Sequence, residues 1–188
     1  MTGAPDLSFG DGALQVFRSG DGVTRVVIDR PPVNAMNEAA YAGLGECFDE
    51  LSFDADTRAI VLSAAGDRAF VAGTDVRDFA NQHQDDPAWA GRHARKAHAA
   101  FHAIFRCSRP VIAAVRSATL GSGVGIVASC DAVLAAPGAT FGLPEINVGV
   151  LGVSATGTAD ANASLAVRWK DKNGDGKIDT NELADPAN

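Results

Sequence analysis

The run ATLGSGVGIVASCD, residues 118–131, decides the reading of this chain. Its opening residues suit the end of a strand, and the small apolar residues after Gly121 continue at helical spacing, which predicts a short helix over 121–129. Gly121, Ser122 and Gly123 stand where strand and loop enter that helix. The first peptide N–H groups of a helix have no acceptor within it, and its positive end faces outward, so a docking group meets donors there. The run misses the dinucleotide fingerprint, because Ile126 stands where the last glycine is required. It also misses the nucleophile elbow, because Leu120 and Val124 occupy the glycine places around Ser122.

A second glycine turn lies upstream, in AFVAGTDVRDF, residues 69–79. Gly73 permits an unusual backbone turn after a strand and leaves the N–H of Thr74 to donate. Two such donors converging on one oxygen form an oxyanion hole, whose donors are fixed before a carbonyl develops enolate charge. Downstream, TFGLPEINVGV, residues 140–150, holds one acid, Glu145, among Leu143, Ile146 and Val148. A partly desolvated carboxylate is a stronger base than an exposed one.

The rest of the chain frames these segments. Residues 14–18 and 23–29 read as strands joined by Ser-Gly-Asp-Gly, a hairpin signal. Pro31 and Pro32 stop the second strand, and Asn37 caps a helix to about residue 51 with Ala40, Leu44, Cys47, Phe48 and Leu51 on one face. A strand at 59–63 follows. Residues 88–106 place Ala90, Ala94, Ala97, Phe101, Ile104 and Phe105 at helical spacing, and strands follow at 111–115 and 132–136. Strands alternating with helices predict an α/β layer fold with parallel pairing. Beyond Gly152 the composition becomes small and polar, as in a linker.

With 188 residues, of which 46% are hydrophobic, one main core is expected. A net charge of -7 argues against affinity for nucleic-acid phosphates or anionic lipid. Cys47, Cys107 and Cys130 are odd in number and share no C-x-x-C spacing, so they read as reduced core residues. A soluble, cytoplasmic protein is expected. His98 and His102 have metal-compatible spacing but no third ligand in sight, and read as a helix flank. Arg30 and Arg68 adjoin the motif turns and are more simply read as surface charges than as phosphate contacts.

Four segments in order, RPPVNAMN at 30–37, AFVAGTDV, the glycine-rich run ending in SCD, and FGLPE, resemble the successive landmarks of the enoyl-CoA hydratase/isomerase (crotonase) superfamily over about residues 13–151. The resemblance implies a crotonase-like ββα spiral core of α/β class, incomplete at the C-terminus and followed by a largely irregular tail. It implies an acyl-CoA thioester whose carbonyl oxygen is held by the backbone N–H groups of Thr74 and Ser122, with Glu145 as the catalytic acid/base. By motif position, Ala35, Ala72, Gly73, Asp75, Val76, Leu120, Gly121, Gly123 and Pro144 would line the substrate. Family hydratases carry a second glutamate where this chain has Gly125. The resemblance therefore favours single-carboxylate members such as the Δ3,Δ2-enoyl-CoA isomerases, which need no metal or catalytic cofactor. A non-catalytic acyl-CoA-binding module is the alternative. The family also implies a homotrimer, but nothing after Gly152 resembles the helices that cover the acyl site and support trimers.

The domain organisation expected is a core at 1–152, a linker at 153–164 and a tail at 165–188. Within the tail, DKNGDGKIDTNE, residues 171–182, matches a single EF-hand loop. Asp171, Asn173, Asp175 and Asp179 offer side-chain oxygens, Lys177 its carbonyl and Glu182 the closing carboxylate. Weak calcium binding and a solvated acidic tail are the two readings of this loop.

Overall fold

The computed structural model describes residues 4–77 and 89–145, together with the backbone of 177 and 178. Strands β1 (Leu7–Phe9), β2 (Leu14–Arg18) and β3 (Val23–Ile28) form an antiparallel meander. Strand β3 then pairs in parallel with β4 (Ala59–Ala64), β4 with β6 (Val111–Val115), and β6 with β8 (Ala132–Ala135). The resulting six-stranded sheet has the order β1-β2-β3-β4-β6-β8. The parallel pairing read from the alternation thus holds for its second half, while the hairpin makes the first half antiparallel.

Alternation explains which face is covered. Val26 and Ile28, Ile60 and Leu62, and Val111 and Ala113 all point into the core, because successive strand residues face opposite sides. Helix α1 (Glu38–Phe53) begins at Asn37, whose side chain accepts from the Ala40 N–H, as its sequence position predicts. Its five predicted core residues are buried, and so is Tyr41. Gly43 lets α1 lie directly on β1, since a β-carbon there would sit 2.3 Å from the Gly10 nitrogen. Helix α2 (Trp89–Phe105) packs on α1 and buries Ala97, Phe101 and Ile104. Phe105, expected on the same face, is 52% exposed. It lies about 100° around the helix from Ile104, past the edge of the buried stripe.

A second, smaller sheet positions the site. Strands β5 (Ala69–Val71), β7 (Ala118–Leu120) and β9 (Phe141–Gly142) run parallel, and β10 (Lys177–Ile178) pairs antiparallel with β9. Helix α3 (Ser122–Ala128) follows β7 directly. The strand at 177–178 pairs part of the largely irregular tail expected from the sequence with β9. The linker and the remaining calcium-loop positions, Asp171, Asn173, Asp175, Asp179 and Glu182 among them, lie outside the described residues. No helix among the described residues is long and apolar enough to cross a membrane.

Candidate active site

Because β5, β7 and β9 are parallel neighbours, their C-terminal ends lie along one edge. Each end delivers one element of the candidate site. Strand β5 leads to Gly73 and Thr74, β7 to Gly121 and Ser122, and β9 to Glu145. Both glycines have positive φ, +102° at Gly73 and +54° at Gly121, a backbone region that side-chain-bearing residues rarely occupy.

The three elements meet closely. A β-carbon placed on Gly121 would lie 3.4 and 3.5 Å from the two Glu145 carboxylate oxygens and 3.5 Å from the Gly73 Cα. The Glu145 carboxylate, half-buried, therefore rests over the Gly121 turn, and the two glycine turns face each other.

The direction of the two predicted donors follows from peptide planarity. The Gly73 carbonyl accepts from the Met36 N–H at 2.8 Å, and in a trans peptide the N–H of the next residue points the opposite way. The Thr74 N–H is thus turned away from Met36. Likewise the Gly121 carbonyl accepts from Val124 N–H at 3.0 Å inside the first turn of α3, which sends the Ser122 N–H out of that end. Neither N–H has an acceptor among the described residues.

The other predicted site residues divide into two groups. Ala72, Gly73 and Gly121 belong to the two turns, Leu120 ends β7 and Gly123 lies in the first turn of α3, while Val76, 75% exposed, offers an apolar side chain beyond the first turn. Pro144 is exposed beside Glu145. Ala35 is half-buried, with its carbonyl accepting from Arg30 Nη1 at 2.6 Å. Asp75 has a structural task. Its carboxylate is buried between Arg30 Nη1 at 2.9 Å and Arg77 Nη2 at 2.7 Å. The Arg77 hydrogen bonds, reinforced by Arg30, hold it well below the ordinary carboxylate range despite burial. Arg30 is therefore committed to this clamp, while Arg68 is exposed.

Two contributors escaped the sequence reading. Asn34, at φ +54°, is buried; its Oδ1 accepts from Arg30 N–H at 2.8 Å and its Nδ2 donates to Ala65 and Ala69 carbonyls, each at 2.9 Å. It pins the 30–37 segment against β5. Tyr41 is buried with its phenol oxygen 2.8 Å from Thr74 Oγ1. A signal existed for Tyr41, since positions 41, 44 and 48 share a helix face and a buried phenol requires a partner. None existed for the Arg30–Asp75 pair, which are distant in sequence. Cys47 and Cys130 are buried, Cys107 half-buried, and all three are free thiols. No group of three metal-capable side chains occurs among the described residues, and His98 and His102 both lie on α2.

Two glycine turns and one acid thus stand together at the ends of parallel strands. The comparisons identify the class. The enoyl-CoA hydratase/isomerase family profile matches residues 18–160, and this chain belongs to that family. It is 38% identical over 133 residues to the (7aS)-7a-methyl-1,5-dioxo-2,3,5,6,7,7a-hexahydro-1H-indene-carboxyl-CoA hydrolase of Mycobacterium tuberculosis, covering 71% of this chain and 53% of that one. It is also 38% identical over 156 residues to human mitochondrial Delta(3,5)-Delta(2,4)-dienoyl-CoA isomerase, covering 78% and 47%. Among solved structures, Pseudomonas aeruginosa DspI matches with a TM-score of 0.71 at 28% identity, covering 82% of this chain and 60% of that one. The chain spans about half the length of the curated relatives it matches.

Proposed function

We propose that this chain binds an acyl-CoA thioester, holds its carbonyl oxygen with the N–H groups of Thr74 and Ser122, and moves a proton with Glu145. The supporting observation is the delivery of all three groups to one edge by β5, β7 and β9, with the Glu145 carboxylate against the Gly121 turn. Preset donors of this kind stabilise charge as it forms on the thioester oxygen.

The reaction favoured is migration of a double bond, as in a Δ3,Δ2-enoyl-CoA isomerase. Glu145 removes a proton from the carbon next to the thioester, the C–H electron pair moves onto the thioester oxygen to give a dienolate, and Glu145 returns the proton at the far end of the double bond as that charge flows back and restores the carbonyl. One carboxylate suffices, and Gly125, at the position of the hydratases' second glutamate, has no group to activate water. The scheme uses no metal or catalytic cofactor.

The test is turnover of 3-enoyl-CoA and 2-enoyl-CoA by the purified chain, with Glu145→Gln beside it. The variant is expected to lose about 10²–10⁴-fold in turnover while still binding the CoA ester. Unchanged turnover in the variant would remove Glu145 from the chemistry. Binding without turnover in the unmodified chain would leave an acyl-CoA-binding module, and the same samples in light scattering report whether it forms the homotrimer its family resemblance suggests.

The tail supports a second, separate reading as a weak calcium loop. Positions 7 and 8 of the pattern, Lys177 and Ile178, form the strand paired with β9, as extended backbone at that point of such a loop allows. Terbium titration before and after Glu182→Ala tests it, and identical binding would discard the loop.

A further inference from the structure

We infer that Tyr41 is a positioning residue for the Thr74 donor, holding it through the Thr74 side chain. The inference rests on the proposed role of the Thr74 N–H and names the device that fixes its direction.

After β5 ends at Val71, the chain runs through Gly73 with little regular support. Three backbone bonds hold it to the segment before α1: Ala72 N–H to the Val33 carbonyl at 3.1 Å, Met36 N–H to the Gly73 carbonyl at 2.8 Å, and Asp75 N–H to the Met36 carbonyl at 2.9 Å. All three go to residues 33–36. The Gly73 carbonyl bond sets the tilt of the Gly73–Thr74 peptide, and the glycine beside it, with no side chain to pack, leaves the turn to be held from outside. The contact from α1 is the bond between the Tyr41 phenol and Thr74 Oγ1, at 2.8 Å.

Tyr41 is suited to act as a fixed peg. Its side chain is fully buried, and its ring meets the His93 ring edge-on at 5.5 Å and the Phe101 ring at 6.4 Å, both from α2. The phenol is therefore located by the packing of two helices rather than by the turn it touches. The N–H of Thr74 leaves the same Cα-bearing residue whose Oγ1 is held, so restraining the side chain restrains the donor. An oxyanion donor is effective only when its position is set beforehand, and sub-ångström misplacement is enough to be felt in rate.

The experiment compares Tyr41→Phe, which keeps the ring, with Thr74→Val, Thr74→Ser and the double variant Tyr41→Phe/Thr74→Val. Two readouts are taken: turnover of enoyl-CoA, and the infrared stretch of a 13C-labelled thioester carbonyl in the bound state. Tyr41→Phe and Thr74→Val are each expected to lower kcat about tenfold with KM changed less than about twofold, and to lessen the carbonyl's shift on binding. The double variant should lose no more than either single one, and Thr74→Ser should restore most of the rate. A merely structural phenol would lower the melting temperature and leave kcat and carbonyl stretch unmoved below it. That result, or additive losses, overturns the inference while leaving the proposed function standing. A chain that neither binds nor polarises the thioester overturns both. Should Tyr41→Phe fail to fold, Thr74→Val and Thr74→Ser decide by the same readouts.

Discussion

Gly123→Ala probes the contact that brings the two turns together. A β-carbon at 123 would stand 2.8 Å from the Val71 carbonyl oxygen and 2.9 Å from the Val71 Cβ, where ordinary contact begins at 3.4 Å. Both atoms belong to the rigid part of β5, so neither can swing aside. Helix α3 must therefore back away from β5 by about half an ångström, or β5 must yield. Such overpacking costs about 1–3 kcal/mol. Replacing a helical glycine by alanine returns at most about 1 kcal/mol. With that return taken in full the net loss reaches about 2 kcal/mol, which lowers Tm by up to about 4–8 °C for a chain of this size. Activity should suffer more, because the displacement moves the Ser122 N–H relative to Thr74. With about 10²-fold lost per ångström of misplacement, half an ångström predicts roughly tenfold in kcat/KM.

The assay is differential scanning fluorimetry beside steady-state turnover, with Gly45→Ala as the internal contrast. Gly45 also lies in a helix, but its added β-carbon would meet only the Ala100 Cα at 3.8 Å. That variant should gain up to about 1 kcal/mol from helix propensity and keep its activity. If Gly123→Ala proves as stable and active as Gly45→Ala, the close stacking of α3 on β5 is not what aligns the donors.

Asn34→Asp keeps the shape but turns two donors into acceptors facing the Ala65 and Ala69 carbonyls; a loss of about 2–4 kcal/mol is expected in urea unfolding, and a loss under about 0.5 would refute the pinning role. Asp75 is depressed below its ordinary value of 3.8 by Arg77 and Arg30, so its contribution is complete above that value and drains away as pH falls through the lower folded one. Urea midpoints taken between about pH 5 and pH 2 should therefore fall more steeply for the unmodified chain than for Asp75→Asn, and parallel curves would count against the clamp. Burial, with the neighbouring Cys107, pushes the Cys47 thiol up to about 12, and burial raises Cys130 as well. Native protein should then yield no more than the half-buried Cys107 to a thiol reagent at pH 8, and rapid labelling of all three would contradict that packing.

The elements legible in the sequence are those long enough to show a period. Val23–Ile28 and Val111–Val115 are dense in apolar and β-branched residues, and α1 repeats its apolar residues every three or four positions behind a capping asparagine, so these strands and the long helices could be read directly, whereas β1 was missed. The small sheet could not. Strands β5, β7 and β9 have three, three and two residues, too few to establish alternation. Their neighbours in the chain nonetheless marked the candidate site, because Gly73, Gly121 and Glu145 stand out by residue type. The supporting contacts were hidden for a different reason. Arg30 meets Asp75 across 45 positions and Tyr41 meets Thr74 across 33, distances that local pattern does not encode.

This division has a physical basis. A backbone donor carries no side-chain signature of its own, so what the sequence records is the glycine that frees it from the ordinary conformations. The turn that carries Thr74 is met by groups distant in sequence: Met36 on the Gly73 carbonyl, Arg30 on the Asp75 carboxylate, and the Tyr41 phenol on Thr74 Oγ1. Glycine supplies the permission to turn and also the freedom to turn too far. A turn that depends on glycine therefore needs rigid neighbours in proportion, and the first turn is held from two other parts of the chain, the 30–37 segment and α1.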